Sequence, residues 1–469
     1  MSALSSNWTA VGYLVAAVCF ILSLKGLSSP GTARRGNQIG AFGAVLAVVV
    51  AFFSEDMNHI PLILVAIVVG TALGVPAARL VAMTQMPQLV ALFNGVGGAA
   101  AALVAGIELT QPRGPGTAWV AVGAGAFTVI VGSISFAGSC ITFAKLQELM
   151  TGRPITYPRG QYVFSATLGA AVVLGAILVA TGGGAGDQPA GLLLGVLAVV
   201  SLAVGVLFVL PVGGADVPIV ISLLNAFTGL TVAASGYVLS NTLLLVAGTL
   251  VGASGTILTR LMAAAMGRSL ASILFGAFKP STAVAAGSTG ADRPVRSGSP
   301  TDVAILLGYA RKVVIVPGYG LAVAQAQHTI RELAELLEAR GIEVIYGIHP
   351  VAGRMPGHMN VLLAEANVPY EVLKEMDEVN PELPTTDVAL VVGANDVVNP
   401  AAKNTPGAPI YGMPILEVDQ AQQVVFLKRS MRPGFAGIDN ELLFDPKTTL
   451  LFGDAKDSLT KVVNAVKAL

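Results

Sequence analysis

Charged side chains are scarce in this sequence. Lys, Arg, Asp and Glu together make up 12% of its 469 residues, about half of the roughly 25% that is usual in soluble globular proteins. The shortage is uneven, because residues 1–280 hold eleven basic and six acidic residues whereas residues 301–469 hold fourteen and twenty. This distribution excludes a uniformly water-exposed protein and predicts a membrane-embedded first part followed by an acidic, soluble second part.

Other absences exclude further classes of protein. The two cysteines, Cys19 and Cys140, lie far apart in apolar segments. The sequence therefore has no disulfide framework and no metal-ligand spacing, and we interpret both residues as small buried apolar side chains. It has no extended basic tract, so we expect no nucleic-acid partner. No charged side chain precedes the first apolar run, which we expect to be a retained helix and not a cleaved signal peptide.

Long apolar segments dominate what is present. A membrane-spanning helix needs about 20 mainly apolar residues. Nine segments meet or approach that length, the second being the shortest: 8–25, 38–53, 60–80, 87–109, 118–142, 162–182, 190–210, 217–239 and 242–263. The first part of the chain is therefore predicted to be an α-helical membrane bundle of about nine transmembrane helices.

The charges between these segments predict an orientation. Cytoplasmic loops carry an excess of Lys and Arg. If the ninth span ends in the cytoplasm, the outside loops contain only Arg113. The inside loops then collect ten basic residues: Lys25, Arg34, Arg35, Arg79, Lys145, Arg153, Arg159, Arg260, Arg268 and Lys279. The N-terminus is thus predicted to lie outside, and everything after residue 264 in the cytoplasm.

Few polar side chains interrupt the spans. Asn94 lies about seven residues into the fourth span and Asn225 about eight into the eighth, which places both ~11–12 Å from the cytoplasmic edge. Equal depth would let them share one hydrated site. Polar groups at such depth mark ion pathways, although hydrogen bonding between helices is the alternative. Asp216, at the cytoplasmic end of the eighth span, is expected to guard the entrance.

Glycines recur in the fourth, fifth and ninth spans, as Gly95, Gly98, Gly125, Gly248 and Gly252 illustrate. Small residues at such spacing let helix backbones approach closely, so we expect tight packing within the bundle. Movement of the ninth helix, relayed to the soluble part, is the functional alternative.

Composition divides the chain into three parts. Residues 1–280 form the predicted transmembrane domain, 281–301 a linker rich in Ser, Ala, Gly and Pro, and 302–469 a soluble domain. A flexible coil of about 20 residues spans about 25 Å. The linker would therefore let the soluble domain dock, tilt and dock again at the membrane surface.

Short apolar strands alternate with helices in the soluble domain. We predict strands at 313–316, 343–348, 388–392, 410–416, 424–428 and 450–452. Helices are predicted at 321–340, at 357–366 and from about 455 to the C-terminus. This alternation favours an α/β doubly wound, Rossmann-like parallel sheet.

A glycine-rich turn follows the first of these strands. The sequence Gly318-Tyr319-Gly320-Leu321-Ala322-Val323 has the spacing of a dinucleotide-binding turn, with Val323 in the third glycine position. Glycines let the backbone turn tightly and approach a pyrophosphate at a helix N-terminus. Its place after a buried strand and before a helix strengthens the interpretation.

The end of the second strand discriminates between nucleotides. NAD sites usually place a carboxylate there to bind the ribose, but this chain has Tyr346-Gly347-Ile348-His349-Pro350. Lys428-Arg429-Ser430 follows the 424–428 strand and offers two cations and a hydroxyl, which suit a 2′-phosphate. A pair of solvated surface charges is the alternative.

Three further loops follow strands and are therefore expected at the same edge of the sheet: 352–358, 393–399 and 431–437. His349 and His358, in or near the first of them, are candidate acid–base groups. A surface or structural role is the simpler interpretation of both histidines.

Four motifs together resemble one family. The glycine turn, AGRMPGHMN (352–360), GANDVVNPAAKNTPGAPIYGMPILEV (393–418) and FLKRSMRPGFAG (426–437) are similar to the beta subunit of the proton-translocating NAD(P) transhydrogenase, and the resemblance covers the whole chain. It implies NADP(H) on this chain, NAD(H) on a partner alpha subunit with further membrane helices, and direct hydride transfer coupled to inward proton translocation. It also implies a dimer of heteromers in the bacterial inner membrane.

Carried onto matching positions, the resemblance implies roles for individual residues. The implied nucleotide contacts are Gly318, Tyr319, Gly320, Ala322, Val323, Arg354, Met355, Gly393, Asn395, Asp396, Lys428, Arg429, Ser430, Gly434, Phe435 and Ala436. The 431–438 loop would fold over the nucleotide as a lid, and Asn225 matches a membrane asparagine implicated in proton transfer. Together with Asn94 and Asp216, which the positions in the spans indicate, it forms the predicted proton pathway.

Two departures from the family pattern affect this reading. Asn94 stands where some members carry a titratable histidine, and asparagine cannot carry a proton as histidine can. The titrating group would then lie on the partner subunit, or the path would consist of water. Phe435 replaces a lid tyrosine, which removes one hydroxyl contact.

Two rival functions stay open from the sequence. A membrane channel or transporter regulated by a nucleotide-sensing domain would need the nine spans but no lid and no chemistry. A dehydrogenase tethered to the membrane would need a substrate pocket, for which a nucleotide domain of about 170 residues leaves little room.

Overall fold

The computed structural model describes most of the chain. The described residues are 6–28, 30–54, 59–81, 85–111, 119–147, 149–151, 154–181, 189–213, 216–265, 269–270, 293–353, 357–406, 408, 410–434 and 436–469. They separate into two compact units, which we describe one at a time. One consists of 1–212 with 220–259, and the other of 213–219 with 260–469.

Nine helices in the described residues are long and apolar enough to cross a membrane, which confirms the predicted helical bundle. Their bounds are α1 Ser6–Leu27, α2 Pro30–Ser54, α3 Ile60–Leu80, α4 Met86–Thr110, α5 Trp119–Leu146, α6 Gly160–Ala180, α7 Pro189–Val209, α8 Val217–Val238 and α9 Thr242–Ala265. The second helix is longer than its apolar core of 38–53 indicates. It begins at Pro30, a residue that suits the first position of a helix because its missing N–H needs no partner there.

Close backbone packing joins several of these helices. A Cβ added at Gly98 of α4 would lie 2.9 Å from the carbonyl oxygen of Gly132 on α5. A Cβ at Gly252 of α9 would lie 3.0 Å from the Leu230 side chain of α8. The glycine spacing therefore serves the close approach of helices, as the packing interpretation predicts.

In the described residues, the unit that includes 260–469 contains a parallel six-stranded sheet, which confirms the predicted α/β class. Its strands are β1 Lys312–Pro317, β2 Glu343–Ile348, β3 Leu373–Glu375, β4 Val388–Val392, β5 Gln423–Lys428 and β6 Thr448–Phe452. Their order across the sheet is β3-β2-β1-β4-β5-β6, with every neighbouring pair parallel. This is the doubly wound order: successive strands are added on one side of β1, as β2 and β3, and then on its other side, as β4, β5 and β6.

Helices cover one face of this sheet: α10 Pro300–Gly308, α11 Tyr319–Val323, α12 Gln327–Glu338, α13 His358–Glu365 and α16 Ala455–Ala468. The other face packs against the short helix α14 Met376–Val379 together with single-turn helices, and a further short helix, α15 Ala401–Asn404, follows β4 along the chain. A capping box begins α10, since the Ser299 hydroxyl accepts a hydrogen bond from the Asp302 N–H and the Asp302 carboxylate accepts one from the Ser299 N–H.

Two predictions within this unit need correction, and one strand was not predicted. The segment 410–416 is not a strand. Its apolar residues are buried, but Gly412 and Pro414 interrupt the extended backbone that a ladder requires. Strand β3 was not predicted, because it has three residues and two of them are charged. The helix predicted at 321–340 is two helices, α11 and α12, separated by Gln325 with φ of 49°.

Candidate functional site

The carboxyl ends of three adjacent strands form the candidate nucleotide site. The register pairs Pro317 of β1 with Val392 of β4, and Val392 with Leu427 of β5. The loops that begin at residues 318, 393 and 429 therefore leave neighbouring strands at one edge of the sheet. This edge, beside the point where strand order reverses, is where open α/β sheets bind ligands.

Glycines interlock the first two of these loops. The N–H of Gly318 donates to the Val392 carbonyl and the N–H of Gly320 to the Gly393 carbonyl, both at 2.9 Å. A Cβ on Gly393 would lie 2.5 Å from the Gly320 Cα. Gly393 also has a φ of 71°, in the left-handed region. Only glycine allows the two turns to pack backbone against backbone.

This packing changes what the predicted glycine turn does. The amides of Gly318 and Gly320 donate to β4 and to the loop that follows it. These glycines therefore hold together the turn after β1 and the turn after β4. The helix that follows, α11, has only five residues. Within it Ala322 is fully buried, Tyr319 is half-buried and Val323 is exposed.

Polar side chains connect the second loop to the third. Lys428 Nζ donates to Asn395 Oδ1 at 3.0 Å, and Asn395 Nδ2 donates to Asp396 Oδ1 at 3.0 Å. The other carboxylate oxygen of Asp396 accepts from the Ala436 N–H at 2.8 Å. A Cβ on Gly434 would collide with both Asn395 and Asp396. The structure thus brings five predicted residues together and fastens the 431–438 loop to the end of β4.

Charge at this site is unevenly exposed. Burial lowers the pKa of Lys428, an effect opposed by the negative charges of Asp396 and Asp439. Arg429 and Ser430, which follow directly, are exposed. A half-buried ammonium beside an exposed guanidinium and a hydroxyl is an arrangement able to bind a phosphate group.

Two buried asparagines support the same loop, and the sequence analysis missed both. Asn440 Nδ2 donates to the Asn395 carbonyl at 3.2 Å, and Asn440 Oδ1 accepts from the Leu442 N–H at 3.0 Å. Asn399 Nδ2 donates to the Asp439 carbonyl at 3.1 Å. Both side chains therefore hold the end of the 431–438 loop. Asn399 lies inside the quoted 393–418 motif, whereas no signal in the sequence singles out Asn440.

The two histidines are structural residues in this unit. His349 is buried at the end of β2, where its Nδ1 accepts from the Val351 N–H and its Nε2 lies 2.8 Å from the Pro414 carbonyl. These partners fix the neutral tautomer with the proton on Nε2. Burial lowers the pKa of His349, and the Pro414 carbonyl opposes that effect. His358 is also buried, with its ring 6.2 Å from the Tyr319 ring.

Arg354, Met355 and Phe435, three of the predicted contacts, lie outside the described residues. Gly353 and Gly357, which flank the segment containing Arg354 and Met355, are described and have φ of 105° and 70°, both in the left-handed region. The predicted contacts of these three residues stay predictions.

A polar network lies within the membrane unit. Asn94 on α4 is buried, and its Nδ2 donates to Ser135 Oγ at 3.3 Å and Ser139 Oγ at 3.0 Å on α5. Ser135 Oγ also lies 2.6 Å from Thr228 Oγ1 and donates to the Leu224 carbonyl of α8 at 3.0 Å. Asn94 Oδ1 is buried without a hydrogen-bond donor among the described residues. The serines and Thr228 escaped the sequence analysis because they are common in tightly packed membrane helices.

The structure does not bring the other two predicted membrane residues into this network. Asn225 follows Leu224 on α8 but its side chain is exposed in this chain. Asp216 is half-buried in the turn just before α8, with its N–H 3.4 Å from the Gly213 carbonyl. Among the described residues, Asn225 is therefore outside the hydrogen-bonded network of Asn94, and a shared hydrated site stays a prediction.

Comparison with known proteins agrees with this architecture. The family model described as NAD(P) transhydrogenase beta subunit matches residues 9–465. Two similar proteins, both from Rhodospirillum rubrum and both named NAD(P) transhydrogenase subunit beta, are 47% identical to this chain over 471 residues. The match covers 99% of this chain and 100% of each relative.

Proposed function

Because the chain belongs to the NAD(P) transhydrogenase beta subunit family, we propose that it binds NADP(H) and couples hydride exchange with NAD(H) to proton movement across the membrane. The family is one of oxidoreductases that bind nicotinamide nucleotides, and the name beta subunit implies an alpha subunit as partner. The finer assignment rests above all on the chain of contacts from Lys428 through Asn395 and Asp396 to Ala436.

The residues at the edge of the sheet fit NADP(H) better than NAD(H). No carboxylate ends β2, where His349 is buried and hydrogen-bonded to Pro414. Lys428 and Arg429 end β5 and would bind a 2′-phosphate, the lysine as a point charge and the arginine as a planar fork.

The protein's part in the reaction is to bind and to exclude. Bound NADP(H) would supply the chemistry, which is hydride exchange at its nicotinamide ring. Lys428 would neutralise phosphate charge, while Asp396 would hold the 431–438 loop over the site through the Ala436 N–H. No residue need act as a nucleophile. NAD(H) would sit on the alpha subunit, so the two nicotinamides meet only in the assembled complex.

The proton path would pass beside Asn94. Its Oδ1 is a buried acceptor without a donor among the described residues, which suits a water molecule or a group of the partner subunit. Asparagine does not titrate at physiological pH, so the group that carries the proton would lie on the partner or be water. The exposed side chain of Asn225 on α8 is available to the same partner, and Asp216 would guard the cytoplasmic entrance.

Coupling would follow from linkage. If protonation in the membrane changes the affinity for NADP(H), nucleotide binding changes the proton affinity by the same factor. The nine long apolar helices in the part of the chain that the structure describes indicate a multi-pass membrane protein. We propose that it lies in the bacterial inner membrane with its N-terminus outside and the nucleotide domain in the cytoplasm, assembled as a dimer of heteromers.

A transporter regulated by nucleotide without chemistry is the alternative. It would not need the fastened 431–438 loop, nor cations selective for a 2′-phosphate. The test is to purify the chain with its co-expressed alpha subunit, insert the complex in vesicles, and follow reduction of an NAD analogue by NADPH beside an internal pH dye. We expect hydride exchange with a pH change that an uncoupler abolishes. NADPH binding without hydride exchange, while the partner binds NADH, would favour the transporter.

A further inference from the structure

One buried cation in the membrane unit has no role in the function proposed above. Lys145, in the last turn of α5, is 3% exposed. Its Nζ donates to the backbone carbonyls of Val209 at 3.0 Å, Leu210 at 2.6 Å and Val212 at 2.5 Å. These three acceptors are neutral carbonyls, and they use all three donor positions of the ammonium. Lys145, which the sequence places among the basic residues of an inside loop, is therefore a buried residue of α5 that binds the end of α7.

These carbonyls lie where α7 ends. The last carbonyls of a helix have no partner within it and carry the negative end of the helix dipole. An ammonium directed at these carbonyls donates hydrogen bonds to them and places a positive charge at the negative end of the helix dipole. Lys145 thus caps α7 from a different helix, α5, and binds the first residues of the connection that leads to α8.

A second contact joins α5 to the segment that follows. Ser135, ten residues before Lys145 and therefore about 15 Å away along α5, donates to the Leu224 carbonyl of α8. Leu224 directly precedes Asn225. Between Val212 and Leu224 the chain contains Asp216 and the beginning of α8. One rigid helix therefore binds the chain just before Asp216 and again just before Asn225.

We propose that Lys145 is a positioning residue for proton translocation: by binding the carbonyls that end α7, it fixes the α7–α8 connection, and with it the residues of α8 that lead to Asn225. This inference rests on the function proposed above. Lysine suits the place because a compact ammonium on a flexible stem can meet three carbonyls that do not lie in one plane. Methionine would fill the same volume without charge or donors.

The test compares three substitutions in the complete complex of this chain with its alpha subunit, reconstituted in vesicles. Lys145→Met removes the charge and every donor, Lys145→Gln keeps two donors without charge, and Lys145→Arg keeps the charge. Lys25→Met is the matched control, because Lys25 is an exposed lysine in the last turn of α1. The measurements are hydride exchange with and without an uncoupler, the internal pH change, and the dissociation constant of NADPH.

We expect Lys145→Met and Lys145→Gln to lower the proton-coupled rate by about tenfold or more, while the NADPH dissociation constant changes less than about threefold. Lys145→Arg should retain at least half of the coupled rate, and Lys25→Met all of it. If Lys145→Met does not assemble with the alpha subunit, Lys145→Gln and Lys145→Arg decide the question by the same criteria.

Three results would overturn the inference. The first is a wild-type coupled rate in Lys145→Gln or Lys145→Met. The second is a loss in Lys145→Arg equal to that in Lys145→Gln, which would show that the charge does not matter. The third is a parallel loss of NADPH binding and coupling, which would indicate general damage. A wild-type complex without any proton-coupled exchange would instead refute the proposed function, so the two failures are distinguishable.

Discussion

Replacing Gly393 by alanine tests the packing of the two glycine turns. The residue has a φ of 71°, and a Cβ there would collide with the Leu321 N and lie 2.5 Å from the Gly320 Cα. The left-handed backbone costs an alanine about 1–2 kcal/mol. Forcing extra volume between packed backbones costs a further ~1–3 kcal/mol. The total is a local destabilisation of about 2–5 kcal/mol at the candidate nucleotide site.

Gly412 provides a matched control. Its φ is 83°, but a Cβ there would have no atom within 4 Å. Gly412→Ala therefore carries the backbone strain without the collision. The difference between the two variants isolates the collision, which should be about 1–3 kcal/mol.

Hydrogen exchange followed by mass spectrometry is the assay. The amides of Gly318 and Gly320 are protected by their bonds to Val392 and Gly393. Opening that is easier by about 2 kcal/mol speeds exchange of these amides roughly thirtyfold. We expect this in peptides covering 313–323 for Gly393→Ala, together with weaker NADPH binding. Equal exchange in those peptides for Gly393→Ala and Gly412→Ala would refute the interlocking of the turns.

Three further predictions concern single side chains. Lys428→Met should weaken NADPH binding by about 10–100-fold and leave the weaker binding of NADH to the same site nearly unchanged, because a charge-assisted contact to the 2′-phosphate is lost; calorimetry on this chain without its alpha subunit measures both. Burial holds the pKa of His349 below its ordinary 6.5, so protonation favours the unfolded state. The stability contributed by the neutral imidazole is complete above pH 6.5 and is lost as the pH falls from 6.5 toward the pKa of the folded protein. His349→Gln should flatten this dependence between pH 7.5 and 5, measured by hydrogen exchange of β2. Asn94→Ala, which leaves Ser139 without its donor, should lower the proton-coupled rate by about tenfold with NADPH affinity unchanged, measured in vesicles with an internal pH dye.

Each of these has an outcome that contradicts it. Equal losses of NADPH and NADH affinity in Lys428→Met would remove the argument for the 2′-phosphate. A pH dependence unchanged by His349→Gln would show that another group causes it. For Asn94→Ala, the account fails if the proton-coupled rate equals that of the wild type.

The sequence was sufficient for features that depend on periodicity and composition. Apolar length alone located the nine membrane helices found in the described residues, and short apolar runs located β1, β2, β4 and β5. It failed at segments whose burial comes from tertiary packing. The segment 410–416 is largely apolar and buried, yet Gly412 and Pro414 prevent it from forming a strand. Strand β3 exists only because β2 offers an edge with which three residues can pair.

The candidate site shows the same division. The spacing of Gly318 and Gly320 predicted a turn at the end of β1, but only the structure shows that Gly393 from another loop fills the space they leave. Lys428 and Asp396 were recognised one by one, whereas their connection through Asn395 requires strands β4 and β5 to be adjacent. Lys145 was misread because a basic residue at the end of an apolar run usually faces water.

The most direct measurement is the equilibrium of hydride exchange under an imposed proton gradient. Both nucleotides react at the same kind of nicotinamide ring. Without coupling, the equilibrium constant of hydride exchange between them therefore lies near unity and does not depend on the proton gradient. With the complex in sealed vesicles, our account predicts that each pH unit across the membrane shifts the ratio of NADPH·NAD⁺ to NADP⁺·NADH about tenfold for every proton moved per hydride. An uncoupler should return this nucleotide ratio to its value without a proton gradient. A ratio that does not change with the gradient, in vesicles that catalyse hydride exchange, would contradict the account.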